Sequence, residues 1–196
     1  YWDKRQLVKK INLNSLYGAI LNPGCRFFDM RIGQSVTLTG RCITKHMASK
    51  VNEIVAGQYD HKGESIVYGD TDSVYFSAYK TLKKEINEGL ISWTKDSVLG
   101  LYDKIAEEVN GSFKAFMTRA FHTPNTRGEV IAAGRELIAS KGLFITKKRY
   151  AVLYYDKEGK RTDIEGKDGK VKAMGLDLKR SDTPVFVQDF LGEILY

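Results

Sequence analysis

Apolar positions recur at helical spacing from the first residues. Leu7, Ile11, Asn14-Ser15 and Gly18 share one face, while Lys9 and Lys10 lie together on a more exposed one. Asn22-Pro23-Gly24 breaks this first helix. A second is predicted from Ile32 to Val55, with Val36, Thr39-Gly40, Ile43, Met47, Val51 and Ile54 as its buried stripe and Gly57 as its stop. Ser65-Ile66-Val67 and Val74-Tyr75-Phe76 are short runs of strand formers that predict a hairpin with Asp70 and Asp72 near its tip. Lys80 to Gly89 reads as a charged connection and Trp93 to Val109 as a third helix. Ser112 is placed to cap a short fourth helix over Phe113, Phe116, Met117 and Phe121, which His122-Thr123-Pro124 ends.

Beyond Arg127 the period shifts toward two. Glu129-Val130-Ile131-Ala132 reads as one strand and Gly142 to Asp156 as a longer one, with Lys157-Glu158-Gly159-Lys160 as a hairpin turn at its far end. Ile164 to Val171 is a polar loop or a second exposed turn. Asp182-Thr183-Pro184 starts a last helix whose apolar positions are Val185, Phe186, Phe190, Leu191 and Ile194. The fold class is α+β, with helices against an antiparallel sheet.

Composition narrows the partners. The chain has 196 residues, 42% of them hydrophobic, enough for a core. Its net charge of +7 favours a polyanionic partner. Cys25 and Cys42 lack metal-type spacing and read as small buried or semi-buried thiols in a reducing compartment. No apolar run approaches the roughly 18 residues that a membrane span needs. His46, His61 and His122 are scattered, with no nucleophile beside them, so hydrolase chemistry has little support.

The chemistry concentrates in Tyr68-Gly69-Asp70-Thr71-Asp72-Ser73. Two carboxylates at a hairpin tip can hold a hard divalent cation such as Mg²⁺, which takes oxygen ligands and shares its shell with substrate phosphates. Two such ions about 3.5–4 Å apart can stabilise both oxygens of an in-line phosphoryl displacement. An Asp-x-Asp pair in a turn also occurs as solvated turn chemistry.

The hexapeptide resembles the C motif of family B DNA polymerases, and other stretches of the chain accompany it. Lys10-Ile11-Asn12-Leu13-Asn14-Ser15-Leu16-Tyr17-Gly18 resembles that family's B motif. Lys147-Lys148-Arg149-Tyr150 resembles its primer-gripping Lys-Lys-x-Tyr element. Met174-Gly175-Leu176 and Ser181-Asp182-Thr183-Pro184 resemble the stretch that leads out of the palm into the thumb. The likeness is to the T-even-like bacteriophage type and covers essentially the whole chain. It implies a polymerase palm with an antiparallel sheet packed on helices: residues 1–22 would be the end of the fingers, 23–182 the second part of the palm and 183–196 the start of the thumb.

The resemblance also implies roles. Asp72 would ligate both Mg²⁺ ions, with Asp70 closer to the periphery as a catalytic and metal-site residue. Lys10 would face the triphosphate of the incoming nucleotide, Lys9 being the lesser candidate. Asn14, Tyr17 and Gly18 would lie beneath the nascent base pair, where a phenol can sense minor-groove acceptors. Tyr68 would pack beneath the hairpin and Thr71 would offer backbone near the primer end. Lys147, Lys148, Arg149 and Tyr150 would bind DNA, with strand alternation putting Lys148 and Tyr150 on one face. The implied partners are primer–template DNA, deoxynucleoside triphosphates and the N-terminal part of a polymerase, in the cytoplasm of an infected bacterial host.

The family's A motif, an Asp-x-x-Ser-Leu-Tyr-Pro-like sequence with the other metal-binding aspartate, is not found in the chain, nor is an exonuclease region. The expectation is therefore a fragment or split subunit, inert alone for nucleotide addition. Its alternatives are a non-catalytic DNA-binding module and a structural palm remnant.

Overall fold

The structure is a computed structural model that describes residues 1–164, 166–177, 180 and 182–195, with only the backbone at 125. Ser181 of the palm-to-thumb stretch, residue 165 of the expected polar loop and the terminal Tyr196 lie outside the described residues. The chain divides into two compact units, Tyr1–Lys45 and His46–Tyr196.

In the first unit, helix α1 spans Trp2–Ile20 and α2 begins at Met30, running on to Ala56. The expected break lies between them: Asn22 Oδ1 accepts from Gly24 N–H and its carbonyl accepts from Cys25 N–H. No residue of α1 is buried, and Leu7, Val8, Ile11, Leu13 and Leu16 are all exposed. Of the apolar stripe expected on α2, Val36 is exposed, Ile43, Met47 and Ile54 are half-buried, and Val51 is buried. Cys25 is partly buried as expected, but Cys42 is exposed, because it falls on the outer face of α2.

The second unit builds on the C-terminal part of α2, where His46, Ser49 and Asn52 are buried beside Ala48 and Val51. Strands β1 (Ile66–Asp70) and β2 (Ser73–Phe76) form the expected hairpin. Asn52 ties its base to α2, accepting from Ser65 N–H and donating to the Gln58 carbonyl.

Three expectations are corrected here. The charged stretch after β2 is a helix, α3 (Tyr79–Asn87), because its lysines alternate with Leu82 and Ile86 on a strongly amphipathic cylinder. The third and fourth predicted helices are one, α4 (Lys95–Phe121), started by a Thr94–Ser97 capping box. Its buried stripe Val98, Ile105, Val109, Phe113 and Met117 runs straight through Gly111. That packing outweighs the ~1 kcal/mol a mid-helix glycine costs. Ser112 caps nothing: its hydroxyl donates to the Val109 carbonyl within the helix. Residues 129–132 form no strand. Instead the Asn110 amide donates to the Ala133 carbonyl and accepts from its N–H, supplying from a helix the bonds a neighbouring strand would have made.

After the short turn of helix α5 (Asn125–Gly128), β3 (Leu137–Thr146) and β4 (Arg149–Lys157) form an antiparallel pair. The long strand expected over residues 142–156 is thus two strands with Lys147-Lys148 as their turn. Strand β4 is central, flanked on its other edge by β6 (Lys170–Met174) and, past a turn with Glu158 and Gly159 at positive φ, by β5 (Lys160–Arg161). Its run of buried residues from Tyr150 to Leu153, on both faces, reflects that central place. Val98, Ile138 and Tyr155 join helix to sheet, with Trp93, Leu99 and Tyr102 around them. Charges reinforce the seam: Arg161 bonds Asp163 and Asp96, and Lys95 bonds Asp163, holding the Asp163 carboxyl well below the usual range. Helix α6 (Val185–Ile194) starts after Pro184, as the sequence indicated. The fold is α+β, with helices and antiparallel sheets.

Candidate active site

The hairpin pairs Asp70 with Ser73, Gly69 with Val74 and Tyr68 with Tyr75, leaving Thr71-Asp72 as a two-residue turn. Such tight turns demand positive φ, and Thr71 sits at φ 34°. A β-branched residue there is an outlier, of the kind that concentrates at functional sites. The Thr71 hydroxyl donates to Asp70 Oδ1 at 3.0 Å. Asp72 is exposed at the turn, and among the described residues no hydrogen bond or ion pair engages its carboxylate. The two aspartates therefore differ: one is tied down and the other is free.

Strand alternation puts Tyr68 and Asp70 on the same face of β1. Both meet the β3–β4 turn. The Tyr68 hydroxyl accepts from Lys148 N–H at 2.8 Å, and Lys148 Nζ lies 3.6 Å from Asp70 Oδ1. Under them Tyr68, Tyr75, Phe144 and Tyr150 form an aromatic cluster with ring centroids 5.3–6.1 Å apart. Tyr75 donates to the Tyr150 hydroxyl at 3.1 Å. Burial, and then this bond, push the Tyr75 phenol above its usual range, so it stays a neutral donor.

The basic element thus differs from its sequence reading. Lys147 and Lys148 occupy the turn, Lys148 at φ 60°, so no strand alternation aligns Lys148 with Tyr150. Lys147, Lys148 and Arg149 are exposed, whereas Tyr150 is only 3% exposed and packs under the hairpin. Gly175, singled out only by resemblance, abuts the turn from the third side. It has φ 62°, and a Cβ there would come within 2.0 Å of the Lys148 carbonyl. Arg149 Nε donates to the Gly175 carbonyl. No sequence pattern pointed to Tyr68 as a hydrogen-bond partner of the turn.

The B-motif residues lie in the first unit. Lys10, Asn14, Tyr17 and Gly18 fall at i, i+4, i+7 and i+8 of α1, so Lys10 shares a helical face with Asn14 and Gly18 and does not stand apart from them with Lys9 as the sequence reading had it. Lys10, Asn14 and Gly18 are exposed, and Tyr17 is half-buried with its hydroxyl donating to the Gly33 carbonyl at 3.3 Å. In the second unit a cavity of about 840 Å³ is lined by Asp72, Tyr75, Val98, Tyr102, Arg135 and Phe144 among others. Among the described residues no three His, Cys, Asp or Glu side chains gather as a metal cluster, and no helix is long and apolar enough to cross a membrane.

The oxygen donors at the hairpin tip suit Mg²⁺, which is usually held by one or two carboxylates plus substrate phosphates and water. Asp72, exposed and without a partner, fits that part directly, and Asp70 fits it once Lys148 yields. Together these two residues would supply only part of a coordination shell, since among the described residues no third His, Cys, Asp or Glu joins them.

A family profile for DNA polymerase family B matches residues 1–119. A DNA-directed DNA polymerase of Escherichia phage RB69 is 34% identical over 97% of this chain, and that of Enterobacteria phage T4 is 31% identical over 97%. The DNA polymerase delta catalytic subunit of Oryza sativa is 29% identical over 99%. The chain spans 22% of the length of each phage relative. The profile takes in both the α1 face and the Asp70–Asp72 hairpin, and the similarity continues through the Lys147–Tyr150 turn: the chain belongs to DNA polymerase family B.

Proposed function

We propose that this chain is the palm-centred part of a template-dependent DNA polymerase. It would act with the polypeptide that carries the second metal-binding carboxylate, whether in one longer chain or as a separate subunit. The observation that carries the reading is the hairpin with its two carboxylates, Asp70 and the exposed Asp72, set against the separate basic β3–β4 turn, whose Lys148 is bonded to Tyr68 and lies 3.6 Å from Asp70. The division into fingers (1–22), palm (23–182) and thumb (183–196) belongs to the same reading.

The reaction proposed is attack of a primer 3′-hydroxyl on the α-phosphate of a deoxynucleoside triphosphate, with release of pyrophosphate. Mg²⁺ held by Asp72, with Asp70 at the periphery, would supply charge stabilisation at the reacting phosphate. The exposed Lys147, Lys148 and Arg149 would hold primer phosphates, which position DNA without reading sequence. Tyr150, being buried, would serve them by supporting the hairpin. Lys10 on α1 would give a point charge to the triphosphate, beside Asn14, Tyr17 and Gly18. Thr71, at the tight turn, would present backbone to the primer end. The phage relatives support a site of action in the cytoplasm of an infected bacterial cell.

Complementation tests this. A polypeptide supplying the exonuclease region, the A motif and the remaining fingers helix, added to this chain, should give primer extension. Asp72→Ala should then lower the rate at least ~10³-fold, because the shared ligand is lost. Asp70→Ala should cost much less. Equal losses would overturn the division of roles, and DNA binding without extension, indifferent to Asp72, would favour a non-catalytic binding module.

A further inference from the structure

We propose that Lys148 is a resident counter-ion of the hairpin: its ammonium holds the Asp70 carboxylate in the free protein, so that a divalent cation must compete with it there. This rests on the proposed polymerase site and deepens it. The turn that carries Lys148 is fixed by three contacts with two neighbours, Tyr68 and Gly175. Tyr68 accepts the Lys148 N–H, the Gly175 backbone closes against the Lys148 carbonyl, and Arg149 returns a bond to the Gly175 carbonyl. These contacts keep the residue at φ 60° with its side chain reaching Asp70. Thr71 completes the environment of that carboxylate by donating to the same oxygen. Among the described residues no such cation meets Asp72, two residues on.

The two aspartates consequently present different fields to an incoming metal. Among the described residues nothing compensates the charge of Asp72, while that of Asp70 is partly offset by an ammonium at 3.6 Å. Lys148 Nζ is well exposed, so the pair is held loosely and can be exchanged. A DNA phosphate that draws the ammonium away from Asp70 leaves the carboxylate open to the cation. Binding of polyanion and metal then reinforce each other, and the coupling is reciprocal by thermodynamic necessity. One lysine thereby links primer engagement to assembly of the metal site.

Mn²⁺ binding to the free chain, followed by water-proton relaxation, separates the possibilities. Lys148→Ala should tighten Mn²⁺ binding about two- to five-fold, the range open to an exposed ion pair. The effect should vanish in an Asp70→Asn background, and Lys104→Ala, which removes the same charge from α4, should not reproduce it. Equal affinities of wild type and Lys148→Ala, including no measurable affinity in either, overturn the proposal, as does an effect of the same size in the Asp70→Asn background. Asp72→Asn reports separately on the underlying site. If it abolishes Mn²⁺ binding while Lys148→Ala changes nothing, the polymerase reading stands and the counter-ion role falls. If Asp72→Asn binds as the wild type does, the metal site itself is misassigned.

Discussion

Single residues in this protein are defined by partners far along the chain, and His46 illustrates it. Its ring stacks on Phe116 at 4.0 Å and meets Phe113 edge-on. The Ser112 hydroxyl hydrogen goes to the Val109 carbonyl, so Nε2–H donates to Ser112 Oγ and Nδ1 accepts from the Tyr59 hydroxyl. That is the neutral tautomer. Burial, with Lys50 adding to it and Glu53 opposing, lowers the His46 pKa. The unfolded chain therefore takes up this proton first as pH falls. The stability His46 contributes is present above the unfolded value of about 6.5 and is lost as pH drops through the lower folded value. Urea unfolding at pH 7, 6 and 5 should show falling stability across that window, and His46→Gln should flatten the slope. An unchanged slope in the variant would show that other groups carry the acid sensitivity.

Elements owe their limits to contacts of the same long-range kind. Helix α4 passes through Asn110-Gly111-Ser112, three residues that look like a helix boundary, because Val109 and Phe113 are both buried on its inner face. Asn110 then has a second task at the Ala133 backbone. Asn110→Ala should cost about 1–3 kcal/mol, the range for leaving partly buried donors and acceptors unpaired. Chemical denaturation measures this, and a loss below ~0.5 kcal/mol would mean that water replaces the amide without penalty. The β3–β4 turn is an equally tertiary product, since Lys148 is held in its left-handed conformation by Tyr68 and the Gly175 backbone.

At the scale of the whole molecule, charge is the property with consequences. A net charge of +7, with Lys147, Lys148 and Arg149 exposed on one turn, predicts weak binding to primer–template DNA that fades steeply with salt as phosphate contacts release counter-ions. Fluorescence anisotropy against salt concentration should give a linear log–log plot, and Lys148→Ala should reduce its slope by about one contact, equally on unrelated sequences. Binding that survives several hundred millimolar salt, on the order of twice physiological ionic strength or more, or that selects one sequence, would count against phosphate-led binding.

What the sequence determined by itself was local or motif-borne. The break at Asn22-Pro23-Gly24, the hairpin with its two aspartates, the Glu158-Gly159 turn and the helix after Pro184 are written in turn chemistry and periodicity, which act over a few residues. The family was legible in the Tyr68–Ser73, Lys10–Gly18 and Lys147–Tyr150 stretches. Tertiary structure decided the rest. The split of residues 137–157 into two strands, the unbroken α4 and the burial of His46 and Asn52 depend on neighbours that no local window contains. The same holds at the site. The resemblance already ranked Asp72 above Asp70, but the physical difference between them came only with folding, which brings Lys148 from 78 positions away to Asp70.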